Sequence, residues 1–249
     1  EDAVTKLLIA LVLTILTSFA AHSQEMITDR PDFTESAIVV PKKSVQFELG
    51  AGFQRSQDVD EMQYPNLLAR IGLHDRFELR LGLPGWTAME FSGQSKTYFQ
   101  DVYVEGKLQM TPNDAVLPMA IILAATAPTG DDIVSTGKSD FGLKYAIAYD
   151  FSGRISLGAN VGLFSRAETG DRILSSLASV AVGVSVTQRV GLFFETFAEM
   201  PENASWAPVF DAGVTFLATS LLQFDVAFGL GLNSFAVDHI IGLGASFRI

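Results

Sequence analysis

The sequence predicts an all-β fold, an antiparallel transmembrane β-barrel of the outer-membrane type with about twelve strands, and three observations carry that expectation. Hydrophobic residues make up 48% of the 249-residue chain and mean hydropathy is +0.29, yet beyond the first twenty or so residues no apolar run reaches the length of a spanning helix. Apolar and polar residues instead alternate over runs of about ten residues bounded by turn residues. The links between those runs alternate between short and long, as in barrels that turn tightly on the periplasmic side and loop widely outside. A closed sheet is the one β arrangement that satisfies its backbone groups in lipid while presenting every second side chain to hydrocarbon.

The N-terminus reads as a targeting segment. An apolar stretch from Leu7 to Ala20 follows Lys6, and Ala21, His22 and Ser23 supply a small-x-small pattern. This predicts a signal peptide over residues 1–23, cleaved before Gln24. Residues 24–42 precede the first strand. Within them Ile27 to Ser36 is polar and turn-rich, which predicts a periplasmic or lumen-plugging segment with Asp29, Arg30 and Asp32 as the candidate plug residues. Residues 43–249 are then the barrel.

The strands follow in order. Val45, Phe47, Leu49, Ala51 and Phe53 form one face of the first, against Gln46, Glu48, Gly50 and Gly52. Phe77, Leu79, Leu81 and Leu83 oppose Arg76, Glu78, Arg80 and Gly82. From Asp101 to Met110 the polar face carries Asp101, Tyr103, Glu105, Lys107 and Gln109, more charge than a dry sandwich core would hold without extensive pairing. A stripe from Phe141 to Phe151 has aromatic residues at both ends, suited to two membrane interfaces. Leu222 to Leu232 and Ile241 to Ile249 repeat the alternation, with inward Gly229, Gly231, Gly242 and Gly244 leaving room in the lumen. Short links are expected at His74-Asp75, Thr111 to Asp114, Ser152-Gly153, Thr187-Gln188 and Thr219-Ser220. Longer outer links are expected at Arg55 to Asp60, Pro84 to Lys96, Pro128 to Lys138, Arg166 to Arg172 and Pro201 to Trp206.

Composition excludes several classes of function. The chain has no cysteine, so disulfides and thiolate chemistry are absent. A net charge of -11 argues against nucleic-acid binding, which needs a basic face. Of three histidines, His22 leaves with the signal peptide and His74 sits in a turn. His239, beside Asp238 and near Ser234, is the one candidate for a membrane hydrolase, and a polar rim residue is the reading favoured over it. No zinc-binding spacing or phosphate loop occurs, so neither metal nor cofactor is expected. Asp131 and Asp132 could bind a cation, and a solvated acidic loop is the reading favoured over it.

Eight polar residues near the middle of their strands are expected to face the lumen: Glu48, Arg80, Glu105, Lys107, Lys144, Asn160, Glu195 and Asp225. Their mixed charges fit either a ring that selects solutes or an internal ion-pair network that fills a narrow barrel. Two functions follow. One is a channel; the other is a closed structural or binding barrel whose outer loops, such as Pro84 to Lys96 with Trp86 and Phe91, contact a partner.

A family resemblance rests on ITDRPDFTES (Ile27 to Ser36) followed by VPKKSVQFELG, on PTGD at Pro128 to Asp131, on SDFGLKYAIAYDF, and on FFETFAE from Phe193 to Glu199. With these motifs the mature chain resembles the MetA-pathway phenol-degradation family of outer-membrane proteins, usually labelled transporters. The resemblance implies a non-enzymatic outer-membrane barrel channel passing small hydrophobic or aromatic solutes. Its partners would be outer-membrane lipids, a small-molecule solute and, during biogenesis, the barrel-assembly machinery. Barrels of this kind usually finish on an aromatic residue, whereas here Phe247 is followed by Arg248 and Ile249.

Overall fold

The computed structural model describes residues 26–249 except 113, 169, 170 and 203, so the expected signal peptide over 1–23 lies outside the described residues. Among the described residues fourteen strands follow one another: β1 (Val45–Ser56), β2 (Val59–His74), β3 (Phe77–Leu83), β4 (Trp86–Phe91), β5 (Gln94–Phe99), β6 (Val102–Gln109), β7 (Met119–Ala127), β8 (Phe141–Ser152), β9 (Ile155–Ala167), β10 (Arg172–Ser185), β11 (Val190–Pro201), β12 (Ala207–Thr219), β13 (Leu222–Gly231) and β14 (His239–Arg248). Each pairs antiparallel with its neighbours. β1 pairs with both β2 and β14, which closes a twelve-stranded wall made of every strand except β4 and β5.

The two remaining strands raise one side of the wall. β2 is long enough to pair with β3 through Leu67 to His74 and then with β4 through Val59 to Tyr64. Pro84-Gly85 separates β3 from β4. Gly85 has φ +74°, and a Cβ there would overlap the Pro65 carbonyl. The link Pro84 to Lys96, expected as a loop, is therefore largely a β-hairpin. Its turn at Ser92-Gly93 has both φ values positive, the conformation that matches the twist of two-residue hairpins. Both faces of this hairpin are polar or mixed, so the apolar alternation that marks strands in lipid is weak there. Two further links differ from expectation. Strand pairing narrows Arg55 to Asp60 to a turn at Gln57-Asp58, and the link around Thr111 to Asp114 extends from residue 110 to 118.

Outward side chains form the apolar belt that the alternation requires. Val214, Val226 and Leu243 are cross-strand neighbours on β12, β13 and β14 and are 39, 50 and 60% exposed. Leu123, Leu143 and Leu163 make a second such row across β7, β8 and β9. A closed barrel with an exposed apolar belt has its stable place in a bilayer. No helix among the described residues is long and apolar enough to cross a membrane. Val226 lies midway along β13, so Val226→Arg is expected to destabilise the folded barrel by about 2–4 kcal/mol. Denaturant titration in lipid vesicles measures this, and an unchanged midpoint would place that face away from hydrocarbon.

Candidate functional site: the lumen and its inserted segment

The alternation that turns apolar residues outward turns the polar ones inward, and there they meet the chain ahead of β1. Residues 26–41 enter from the short-turn end, cross the lumen and return to the start of β1. On the way in, Gln46 donates to the Ile27 carbonyl (2.9 Å), Gln223 donates to Thr28 Oγ1 (2.9 Å) and the Asp29 N–H donates to Glu48 (3.0 Å). The tip then spans the lumen. Arg30 pairs with Asp225 of β13 at 3.0 Å, the Phe33 N–H donates to Glu195 of β11 at 2.6 Å, and Thr34 Oγ1 lies 2.7 Å from Ser179 Oγ of β10. At the far wall Asn160 of β9 both accepts from the Glu35 N–H (2.7 Å) and donates to the Glu35 carbonyl (3.0 Å). The return leg follows β6 and β3, where the Val39 and Val40 N–H groups donate to Gln109 (3.2 Å) and Glu78 (2.6 Å). In each of these contacts the wall contributes a side chain.

The wall is also shaped for the segment. Gly50 and Gly244 are cross-strand neighbours on β1 and β14, and a Cβ on either would overlap the Arg30 guanidinium. A Cβ on Gly72 would overlap the Pro41 carbonyl. The room that Gly244 leaves in the lumen is thus filled by Arg30.

Ion pairs fasten the side nearest β1, β2, β3 and β6. Asp29 meets Arg70 (3.2 Å), Arg80 (3.0 Å) and Lys107 (3.1 Å). Arg70 also contacts Glu48 and Glu78, each at 3.0 Å, and Arg80 contacts Glu105 at 2.7 Å. Glu35 pairs with both Arg80 and Lys144. Of the eight residues expected in the lumen, Glu48, Arg80, Glu105, Lys107 and Lys144 enter this network, while Asn160, Glu195 and Asp225 hold the tip. Among the expected plug residues, Asp29 sits in the network, Arg30 in its glycine niche, and Asp32 at the tip facing Glu195 and Asp211. The eight-residue lumen set expected from sequence leaves out Arg70, Glu78 and Asp211. Glu78 shares the face of Arg80, so the same alternation marks it. Arg70 is harder to place, because the β1–β2 pairing shifts between Gly50 and Gly52 and breaks the period along β2.

The two acids of the segment have opposite electrostatics. Burial works against an ionised Asp29, but Arg70, Lys107, Arg80 and the Ser36 N–H together outweigh it and hold the carboxyl well below the usual range. Burial and the neighbouring Glu195 push Asp32 well above it, with Asp29 and Asp211 acting in the same direction. A raised folded value stabilises docking fully below about pH 4 and withdraws that stabilisation as pH rises through the raised value. The depressed Asp29 value has the opposite sign: its contribution is present above about pH 4 and is lost only in strong acid. The tip is therefore expected to loosen between mildly acidic and alkaline pH while the ion-pair anchor holds. Lower protection factors at Phe33 to Glu35 at high pH would show this, and Asp32→Asn should flatten the trend; equal slopes in both proteins would refute it.

Among the cavities beside the tip, two lie on opposite sides of it. The outer one, about 500 Å³, is lined by Arg30, Phe33, Tyr103, Lys144, Phe197 and Asp211, among others. The inner one, about 440 Å³, opens toward the short turns between Thr34, Ala148, Ser156, Ala181 and Phe193. Asp32 and Glu35 line both cavities. The tip thus lies between the two cavities.

Other candidates stand apart. His239 packs its ring 5.7 Å from that of Phe53, and among the described residues no hydrogen bond joins it to a serine. No group of three acidic, histidine or cysteine side chains is placed to hold a metal among the described residues. Asp131 fastens its loop by accepting from the Phe99 N–H at 2.7 Å. Trp86 and Phe91 are exposed on β4, with Trp86 edge-on to Phe99.

Comparison with known proteins agrees with this architecture. The chain is similar in fold to the COG4313 outer membrane channel from Pseudomonas putida F1, with a TM-score of 0.64 and 13% identity over 90% of this chain and 100% of that one. It is similar to the NanC porin (TM-score 0.60, 12% identity, 82% of this chain and 100% of that) and to the KdgM porin (0.55, 8%, 81% and 98%). No curated protein sequence matches it. A family model described as "Putative MetA-pathway of phenol degradation" matches residues 28–249, from the inserted segment to the residue after β14, and the chain belongs to that family.

Proposed function

We propose that this barrel is an outer-membrane channel for small solutes, non-enzymatic, in which the inserted segment sets what passes. The observation that carries the reading is the pair of cavities separated only by the tip. The folds it resembles are those of porins and an outer membrane channel. Aromatic or other small hydrophobic solutes are the proposed cargo. The family description names phenol degradation, and the stacked rings of Phe33 and Phe197, 4.3 Å apart, line the outer cavity. The lumen residues from Glu48 to Asp225 named above are proposed to set selectivity, largely by positioning the segment. The proposed processing is removal of residues 1–23, leaving 24–42 as the lumen segment and 43–249 as the barrel. The outward row of β14 that includes Phe247 is the proposed signal to the barrel-assembly machinery.

The second reading, a closed structural or binding barrel, draws on the density of ion pairs around Asp29. Flux decides between them. Purified protein in liposomes is expected to pass small solutes and to conduct in planar bilayers. Absence of both, in the parent and in variants that free the tip, would favour the closed barrel.

A further inference from the structure

The charges of the lumen are unevenly matched. Arg30 is paired with Asp225, Lys107 and Arg70 with Asp29 and Glu78, and Arg80 and Lys144 with Glu35 and Glu105. Across the lumen, Asp32, Glu195 and Asp211 form no ion pair among the described residues. Glu195 and Asp211 are cross-strand partners on β11 and β12, and Asp32 hangs beside them from the tip. Glu195 accepts from the Phe33 N–H and the Thr34 hydroxyl and shares a side-chain hydrogen bond with Asp211. Asp211 is 2% exposed, lines the outer cavity, and has an Oδ1 with no hydrogen-bond partner. Carboxylates set together in a low-dielectric wall without a counter-charge are costly, and a positive charge beside them relieves that cost.

We propose that the floor of the outer cavity binds an organic ammonium cation, with Asp32 and Asp211 facing the charge and the Phe33–Phe197 pair facing the carbon skeleton. This deepens the channel reading and rests on its premise that the cavity receives solutes. Metal is the wrong class of cation for these groups, since no three of them converge as ligands. Aromatic faces favour a weakly hydrated organic cation over a small inorganic one. Phe33 and Phe197 lie nearly parallel, at 8°, and line the same cavity as Asp32 and Asp211. A volume of about 500 Å³ suits a single-ring amine.

The test compares three probes of one shape: benzylammonium, benzyl alcohol and benzoate, titrated against the full mature protein in detergent. Benzylammonium is expected to bind about tenfold more tightly than benzyl alcohol, a difference typical of one charge-assisted contact, and benzoate more weakly than either. Asp211→Asn and Asp32→Asn should each remove most of that preference. Asp150→Asn, whose residue lines the inner cavity, should leave it intact. Two variants guard against misfolding of one, and the heat-dependent gel shift of folded barrels checks both. Equal binding of benzylammonium and benzyl alcohol, or a preference that survives both substitutions, overturns the site. Liposome flux of the same probes separates this outcome from failure of the channel reading. Flux without cation preference sinks the site alone, whereas preferential binding with no flux in the parent or in variants that free the tip sustains the site and sinks the channel.

Discussion

Asp29→Ala is expected to raise single-channel conductance severalfold while leaving the barrel folded. The carboxylate of Asp29 is the common partner of Arg70, Arg80 and Lys107, and it also accepts the Ser36 N–H at 2.7 Å. Removing one member of a buried ionic cluster costs about 3–5 kcal/mol, because the remaining charges stay buried and lose their balance. That loss falls on docking of the segment, since the three cations keep Glu48, Glu78 and Glu105 on the wall itself. Asp29→Asn should show a smaller rise, as an amide oxygen can still accept from Ser36. Planar-bilayer recordings supply the conductance, and the heat-dependent gel shift reports the barrel. A folded variant that conducts no better than the parent would show that the segment is not the barrier.

The second large effect is expected from one added side chain. Gly50→Val places carbon where the Arg30 guanidinium lies. Arg30 is then driven out and Asp225, whose side chain is fully buried, loses its ion pair. Breaking such a pair costs about 3–5 kcal/mol, and the tip should detach from β13. Gly52 is the control, because it is two residues along the same inward face and a Cβ there meets its nearest atom at 3.9 Å. Gly50→Val is expected to increase solute flux and Gly52→Val to leave it near the parent value. Equal behaviour of the two would mean that the niche for Arg30 has no part in closure.

Much of this was legible along the chain. The alternation at Phe77 to Leu83, Phe141 to Phe151 and Leu222 to Leu232 reports a sheet with lipid on one side, because in such a sheet polarity and direction are the same variable. Closure by β14 on β1 follows from the same rule. The polar residues at strand centres fall in the lumen by parity alone. What parity cannot give is pairing across the lumen. That Glu35 reaches Lys144, or that Arg30 reaches Asp225, depends on the path of a segment without periodicity. The hairpin of β4 and β5 escaped for a related reason. Both of its faces mix polar and apolar residues, and a strand with two similar faces leaves only its turn, Ser92-Gly93, as a mark.

The contacts between segment and wall have a consequence for how such a protein diversifies. The wall is held by main-chain ladders from strand to strand, whereas the tip is held by side chains that the wall extends to it. The two are chemically separable. On the proposed reading, a substitution at Glu195, Asn160 or Lys144 would change the hold on the tip and leave the main-chain ladders of the wall in place. Under the channel reading proposed above, selectivity would then be rewritten one side chain at a time on a wall whose ladders stay the same.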